Sequence, residues 1–138
     1  MKNKLTITIN SFSYKRALPI DNSGNGGGFI FDCRAIHNPG RYDEYKCLTG
    51  KDKKVIEFLD KEPEMKIFLS HVYKLVEQSV NKYVYRNFSN LMVSFGCTGG
   101  QHRSVYSAEN LAKHLSDNFD ANIIIHHIEQ EILNSERS

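Results

Sequence analysis

The sequence predicts an α/β fold, a single three-layer domain over residues 1–138 with a mostly parallel sheet. Three observations carry this expectation. Short apolar runs of strand length alternate along the chain with apolar stripes of helical period. Strands separated by helices pair in parallel through crossovers. The chain's 138 residues, 40% apolar and 25% charged, suffice for one core and are too few for two domains.

Leu5-Thr6-Ile7-Thr8-Ile9 alternates apolar and polar residues, the pattern of a strand covered on at least one face. Asn22-Ser23-Gly24-Asn25-Gly26-Gly27-Gly28 has the composition of a mobile loop and runs into the strand Phe29-Ile30-Phe31-Asp32-Cys33. Asn38-Pro39-Gly40 marks a turn, and irregular chain extends to Gly50. Asp52 is placed to cap a helix through Val55, Phe58 and Leu59, and Pro63 suits the first turn of the next. Met65, Phe68, Leu69, Val72, Leu75, Val76, Val80 and Tyr83 form the apolar stripe of a long amphipathic helix, ended by Asn87. The aromatics Phe68, Tyr73, Tyr83 and Tyr85 are assigned to the core or to a subunit interface. Leu91-Met92-Val93-Ser94-Phe95 is a strand, Ser104 to Leu115 has helical spacing, and Ile123-Ile124-Ile125 reads as a buried strand before a weak terminal helix.

Composition excludes several classes. No apolar run reaches the length of a bilayer, so no membrane partner is expected, and Met1-Lys2-Asn3-Lys4 lacks the apolar stretch of a secretory signal. Cys33, Cys47 and Cys97 are odd in number and without C-x-x-C spacing, which points to a reducing, cytoplasmic setting. A formal net charge of +2 permits phosphate contacts but is small for a surface devoted to nucleic acid. His126-His127 makes a poor metal site, because neighbours on a strand face opposite ways. No metal or cofactor is expected.

The segment that carries chemistry is Gly96-Cys97-Thr98-Gly99-Gly100-Gln101-His102-Arg103-Ser104. An apolar strand, a glycine turn and a helix start leave backbone amides unpaired at the positive end of the helix dipole. Gly99 and Gly100 allow positive φ and close approach of a ligand. Arg103 adds a fork of donors, Thr98 and Ser104 add hydroxyls, and His102 is expected to add charge near neutral pH. This is a phosphoryl-binding arrangement. It is not a nucleotide P-loop, since no lysine stands in the loop.

Cys97 and Arg103 also have the Cys-x5-Arg spacing of cysteine-dependent phosphatases, in which a thiolate attacks phosphorus while arginine holds the equatorial oxygens. Gly96 stands where those enzymes usually carry histidine. Asp32, at the end of a neighbouring strand, is the best placed general acid. Binding and catalysis both stay open on the residues alone.

Gly96 to Val105 resembles the signature of the C-terminal domain of RapZ, the RNase adapter protein family of bacteria. Ser11-Phe12-Ser13-Tyr14-Lys15, Phe31-Asp32-Cys33-Arg34, Asn38-Pro39, Leu48-Thr49-Gly50-Lys51-Asp52 and Ala108-Glu109 with Leu111-Ala112 resemble further family elements, in order from about Ile7 to Glu129. The resemblance implies a sensor of a phosphorylated small molecule, glucosamine-6-phosphate in the family. It also implies contacts with small regulatory RNA, homo-oligomers, and a fold similar to a phosphofructokinase subdomain. Carried over, the ligand sits on Cys97, Thr98, Gly99, Gly100, Gln101, His102, Arg103 and Ser104, with Asp32 and Arg34 near and Thr49 and Gly50 at the border. A family histidine after Asn-Pro falls at Gly40, which leaves His37 as the available substitute. The loop from Asn22 to Gly28 looks like an insertion, and a terminal Arg-His-Arg run appears as His126-His127. No nucleotide-binding half of the family is present in these residues, so nucleoside triphosphate binding is not inherited. Lys15, Arg16, Lys51, Lys53 and Lys54 are the residues available to RNA phosphates, although Asp52, Glu57 and Asp60 interleave.

Overall fold

A computed structural model describes residues 4–137, so the signal-sequence reading of the first residues lies largely outside the described chain. The order of elements is β1 (Thr6–Ser13), β2 (Gly28–Asp32), two single 3-10 turns (Pro39–Arg41 and Asp43–Tyr45), α1 (Lys53–Asp60), α2 (Pro63–Tyr85), β3 (Asn90–Cys97), α3 (Arg103–Asn118), β4 (Asn122–His127) and α4 (Ile128–Glu136). The four strands form one sheet in the order β2-β3-β1-β4, and every pair is parallel. The expected α/β fold, with helices flanking a parallel sheet, is the one observed.

Ile7 and Ile9 of β1 and Leu91, Val93 and Phe95 of β3 form the sheet side of the core. Val55 and Leu59 of α1, the Met65, Leu69, Val72, Val76 and Val80 stripe of α2, and Ala108, Leu111 and Leu115 of α3 close it. Each fully buried aliphatic side chain contributes roughly 2 kcal/mol of transfer free energy. This contiguous cluster is therefore what positions the strand ends that carry the site. Leu75 falls off the predicted stripe and is half exposed, as the drift of a 3.6-residue period over a long helix allows. Phe68, Tyr73 and Tyr83 pack against the core, whereas Tyr85 lies exposed at the helix end.

β4 departs from expectation. Its three isoleucines read as a buried strand, but β4 is an edge strand, and Ile124 and Ile125 are 43% and 36% exposed. His126 and His127 do face differently, as a strand requires: His126 meets Glu131, and His127 bridges Ser11 and Glu109. The glycine loop of residues 22–28 is not left loose, because the Asp21 carboxylate accepts hydrogen bonds from the amides of Ser23 and Gly27.

The strand order creates one place of special interest. From β1 the chain crosses β3 to reach β2, and from β3 it crosses β1 to reach β4. Adjacent central strands whose connections leave in opposite directions open a crevice at their carboxyl ends, where α/β sheets bind ligands. The ends there are Ser13 and Cys97, paired in register.

Candidate functional site

At this crevice the 97–103 loop turns β3 into α3. Gly100 has φ +66°, and a Cβ on it would stand 2.7 Å from the Ser13 amide nitrogen, so glycine is needed for conformation and for space. The Ser13 hydroxyl donates to the Thr98 carbonyl (2.6 Å), which ties the loop to the end of β1. Tyr106 is the first residue of α3 whose amide closes on a carbonyl at the helix start, that of His102 (2.9 Å). The amides of Arg103, Ser104 and Val105 precede that ladder, at the positive end of the helix dipole.

Arg103 is 3% exposed. Its Nη1 donates to the carbonyls of Arg34 and Ile36, both at 2.8 Å, which tethers the segment after β2 to the loop. Its Nε is buried without a partner. Among the described residues the other such side-chain atom is Gln130 Oε1, and Gln130 also touches the loop, donating Nε2 to the Gly100 carbonyl. Both unsatisfied side-chain atoms therefore lie at this loop, and a buried polar atom without a partner is rare enough in native structures to call for a physical reason.

Two cavities open on either side of Arg103. One, of about 220 Å³, is lined by Lys15, Asn38, Gly40, Lys46 and the Cys97–Arg103 loop without Gly100. The other, of about 340 Å³, is lined by residues 34–38 with Arg41, Thr98 and Arg103. No carboxylate lines either one, and their formally charged walls are all basic.

The predicted site residues do not all reach the cavities. Cys97, Thr98, Gly99, His102 and Arg103 converge on the first cavity. Cys97 Sγ donates to the Ser104 hydroxyl (3.1 Å), and both side chains are buried. Gln101 borders the same cavity, but its amide nitrogen is engaged by the carbonyls of Lys46 and Leu48, both at 2.6 Å, so it clamps the covering segment. Thr49 and Gly50 lie behind the loop and line neither cavity. Thr49 donates its amide to Asp52, and Gly50 packs so tightly on the His102 carbonyl and the Tyr106 amide that a Cβ has no room.

His102 corrects one expectation. Burial pushes its pKa below the ordinary 6.5, so it is neutral near pH 7 and adds no charge. Its Nε2 donates to the Tyr45 carbonyl (2.8 Å), which leaves Nδ1 as an acceptor beside Gly40. A side chain at position 40 would press on Asn38 Oδ1 (3.0 Å) and on that Nδ1 (3.3 Å), which explains why glycine suits this place. His37 reaches the second cavity, but its two nitrogens are occupied by Glu62 (3.1 Å) and the Tyr42 hydroxyl (2.9 Å).

Asp32 and Arg34 form a two-pronged ion pair, at 2.9 and 2.8 Å, with the Arg34 guanidinium stacked 3.8 Å over the Tyr14 ring. Arg34 holds the Asp32 carboxyl below its ordinary range. A group held as carboxylate is poorly suited to be the general acid of a phosphatase. Of the basic residues available to RNA, Arg16 is paired with Glu129 (2.6 Å). Lysines 51, 53 and 54 are exposed.

Sequence reasoning missed Asn38, Arg41 and Lys46 as walls of the site and placed Lys15 only on an RNA surface. The signal available was local: Asn38 opens the Asn-Pro-Gly turn, and its side chain caps that turn by accepting from the Gly40 amide.

Comparison with known proteins fixes the family. Residues 5–131 match the RapZ C-terminal domain family, nearly the whole chain and all of the site. The chain belongs to the RapZ C-terminal domain family. Among its relatives is a nucleotide-binding protein of Nitrosomonas europaea, 37% identical over 125 residues that cover 91% of this chain and 41% of the relative. Another, from Acidobacterium capsulatum, is 41% identical over 111 residues, covering 80% and 34%. A third, from Xanthomonas campestris, is 34% identical over 129 residues, covering 94% and 44%. The chain thus spans less than half the length of these relatives, and the nucleotide binding in their names is a property of those longer proteins. Among the described residues, no helix of this RapZ C-terminal domain is long and apolar enough to cross a membrane.

Proposed function

We propose that this domain binds a phosphorylated small molecule, a sugar phosphate, at the Cys97–Ser104 loop and works as a sensor or regulatory module. One observation carries the reading: Arg103 is almost fully buried with Nε unpartnered, between cavities whose charged walls are all basic. A buried cation with an unsatisfied donor, beside the free amides of a helix start, is stabilised by an anion more than by water. The phosphoryl group would take the amides of residues 98–105, with Lys15 and Lys46 closing over it. The neutral His102 would accept from a ligand hydroxyl. The resemblance makes glucosamine-6-phosphate a natural first ligand to try.

The phosphatase reading is weaker, because Asp32 is paired as a carboxylate with Arg34. RNA contact and homo-oligomer formation are further proposals from the resemblance, with Lys51, Lys53 and Lys54 the cations a salt titration would probe.

The test is thermal unfolding with inorganic phosphate and hexose 6-phosphates. Ligand at about a hundred times its Kd adds roughly 2.7 kcal/mol and raises Tm by roughly 8 °C. Replacing Lys15 and Lys46 together by alanine is expected to erase most of that rise while leaving the unliganded Tm nearly unchanged. No rise with any phosphorylated compound would refute the proposal.

A further inference from the structure

Two of the three cysteines meet at the root of the loop. β2 and β3 run parallel with Phe31 opposite Phe95 and Asp32 opposite Gly96, and the two phenylalanine rings stack at 5.6 Å. The pairing continues one residue beyond β2, where the Cys33 amide donates to the Gly96 carbonyl (2.8 Å). That step sets Cys33 opposite Cys97, two residues on from the stacked rings and so on the same face of the sheet. Their partners agree with this placement. Cys33 Sγ donates to the Ser107 hydroxyl (3.7 Å) and Cys97 Sγ to the Ser104 hydroxyl (3.1 Å), and these serines lie one turn apart on α3. Neighbouring strands stand about 4.8 Å apart, inside the Cα separation of roughly 4.4–6.8 Å that a disulfide spans. Burial pushes the Cys33 thiol up from its ordinary pKa, and the neighbouring Cys97 adds to the rise.

We propose that Cys33 and Cys97 are a reversible dithiol–disulfide pair, oxidised by a peroxide that enters through the loop cavity. The pair does not depend on what the loop binds. Its two thiols have different roles. Cys97 lines the cavity of about 220 Å³, whereas Cys33 is 0% exposed and lines neither cavity beside Arg103. Cys97 therefore meets the oxidant and Cys33 resolves the product. In the first step the Cys97 sulfur attacks one peroxide oxygen and the O–O bond breaks. Cys97 becomes a sulfenic acid, and its thiol proton leaves with the other oxygen as water. In the second step the Cys33 sulfur attacks the Cys97 sulfur and the S–O bond breaks. The departing hydroxide takes the Cys33 proton as a second water, and two electrons have passed from the thiols to the peroxide. Cys47 is exposed and lines neither cavity, so it is not the resolving thiol. The bond would join the end of β2 to the start of the loop, and in a reducing setting it would be transient.

The test treats the folded Cys47→Ser variant with hydrogen peroxide and follows intact mass, free thiols and peptide cross-links. The expected product is about 2 Da lighter, has lost both thiols and regains them with dithiothreitol. Peptide mapping is expected to find Cys33 joined to Cys97 within one chain. Cys33→Ala in the same background is expected to gain about 16 or 32 Da at Cys97 instead. If that second variant fails to fold, the cross-linked peptide from the variant that keeps both cysteines decides the question alone. Unchanged mass, a bond only between chains, or oxygen added at Cys97 while Cys33 still titrates as a thiol would overturn the pair. So would a 2 Da loss that survives Cys33→Ala.

Discussion

The protein has two glycine-rich loops, and they differ in where their anion comes from. Residues 22–28 place Gly24, Gly26 and Gly27 at positive φ, in open space where a Cβ would touch nothing within 4 Å. That loop contains its own anion, since Asp21 accepts from the amides of Ser23 and Gly27, and the Ser23 side chain together with these amides holds its carboxyl below the ordinary range. The 97–103 loop is pressed against β1 at Gly100 and is followed by a helix, and its cavity is lined by cations and no carboxylate, with Lys46 paired to the exposed Asp43 (2.7 Å) outside it. Glycine content alone does not make an anion site. A loop that supplies its own carboxylate is closed to one, and a loop walled by Lys15, Lys46 and Arg103 is open.

Arg103→Ala should break this contrast most severely. It removes two hydrogen bonds from a charged donor to backbone carbonyls, one of them buried, a cost of about 3 kcal/mol, and it should abolish any stabilisation by phosphate. Urea unfolding with and without phosphate measures both, and a variant that unfolds like wild type would remove Arg103 from the centre of the site. A paired glycine substitution sharpens the comparison. Gly100→Ala meets both a positive φ and the Ser13 backbone, so about 2 kcal/mol of destabilisation is expected. Gly26→Ala meets only the positive φ, and about 1 kcal/mol is expected, with the phosphate response intact. Equal losses would mean that the close approach at Gly100 is unimportant.

How much of this was legible in the sequence follows from range of interaction. Strand and helix periods are local, so β1, β3, α2 and α3 could be read from Leu5–Ile9, Leu91–Phe95 and two apolar stripes. The loop was legible for the same reason, because Cys97 to Ser104 are contiguous. The exposure of Ile124 and Ile125 depends on β4 being at the edge of the sheet, which no run of three isoleucines reveals. Arg41 and Lys46 reach the site only because Arg103, Gln101 and His102 each bind carbonyls of the segment from Arg34 to Leu48. Those are long-range bonds to backbone, and they leave no mark in residue type.

A smaller effect concerns pH. The pKa of His102 is depressed in the fold, so the unfolded chain binds the proton more tightly. Stability is therefore fully present above the ordinary value of 6.5, falls as pH drops through it, and levels off below the folded value. Replacing His102 by Gln should flatten that part of the curve of unfolding midpoint against pH. A curve of unchanged shape would mean that His102 is not the buried neutral base described.

The most direct measurement is a titration of 15N-labelled protein with inorganic phosphate, followed by amide resonances. Saturable shifts concentrated at residues 98–105, with residues 22–28 unmoved, are the predicted result. Unmoved resonances at 98–105, or larger shifts in the 22–28 loop, would contradict the assignment of the open glycine loop as the anion site.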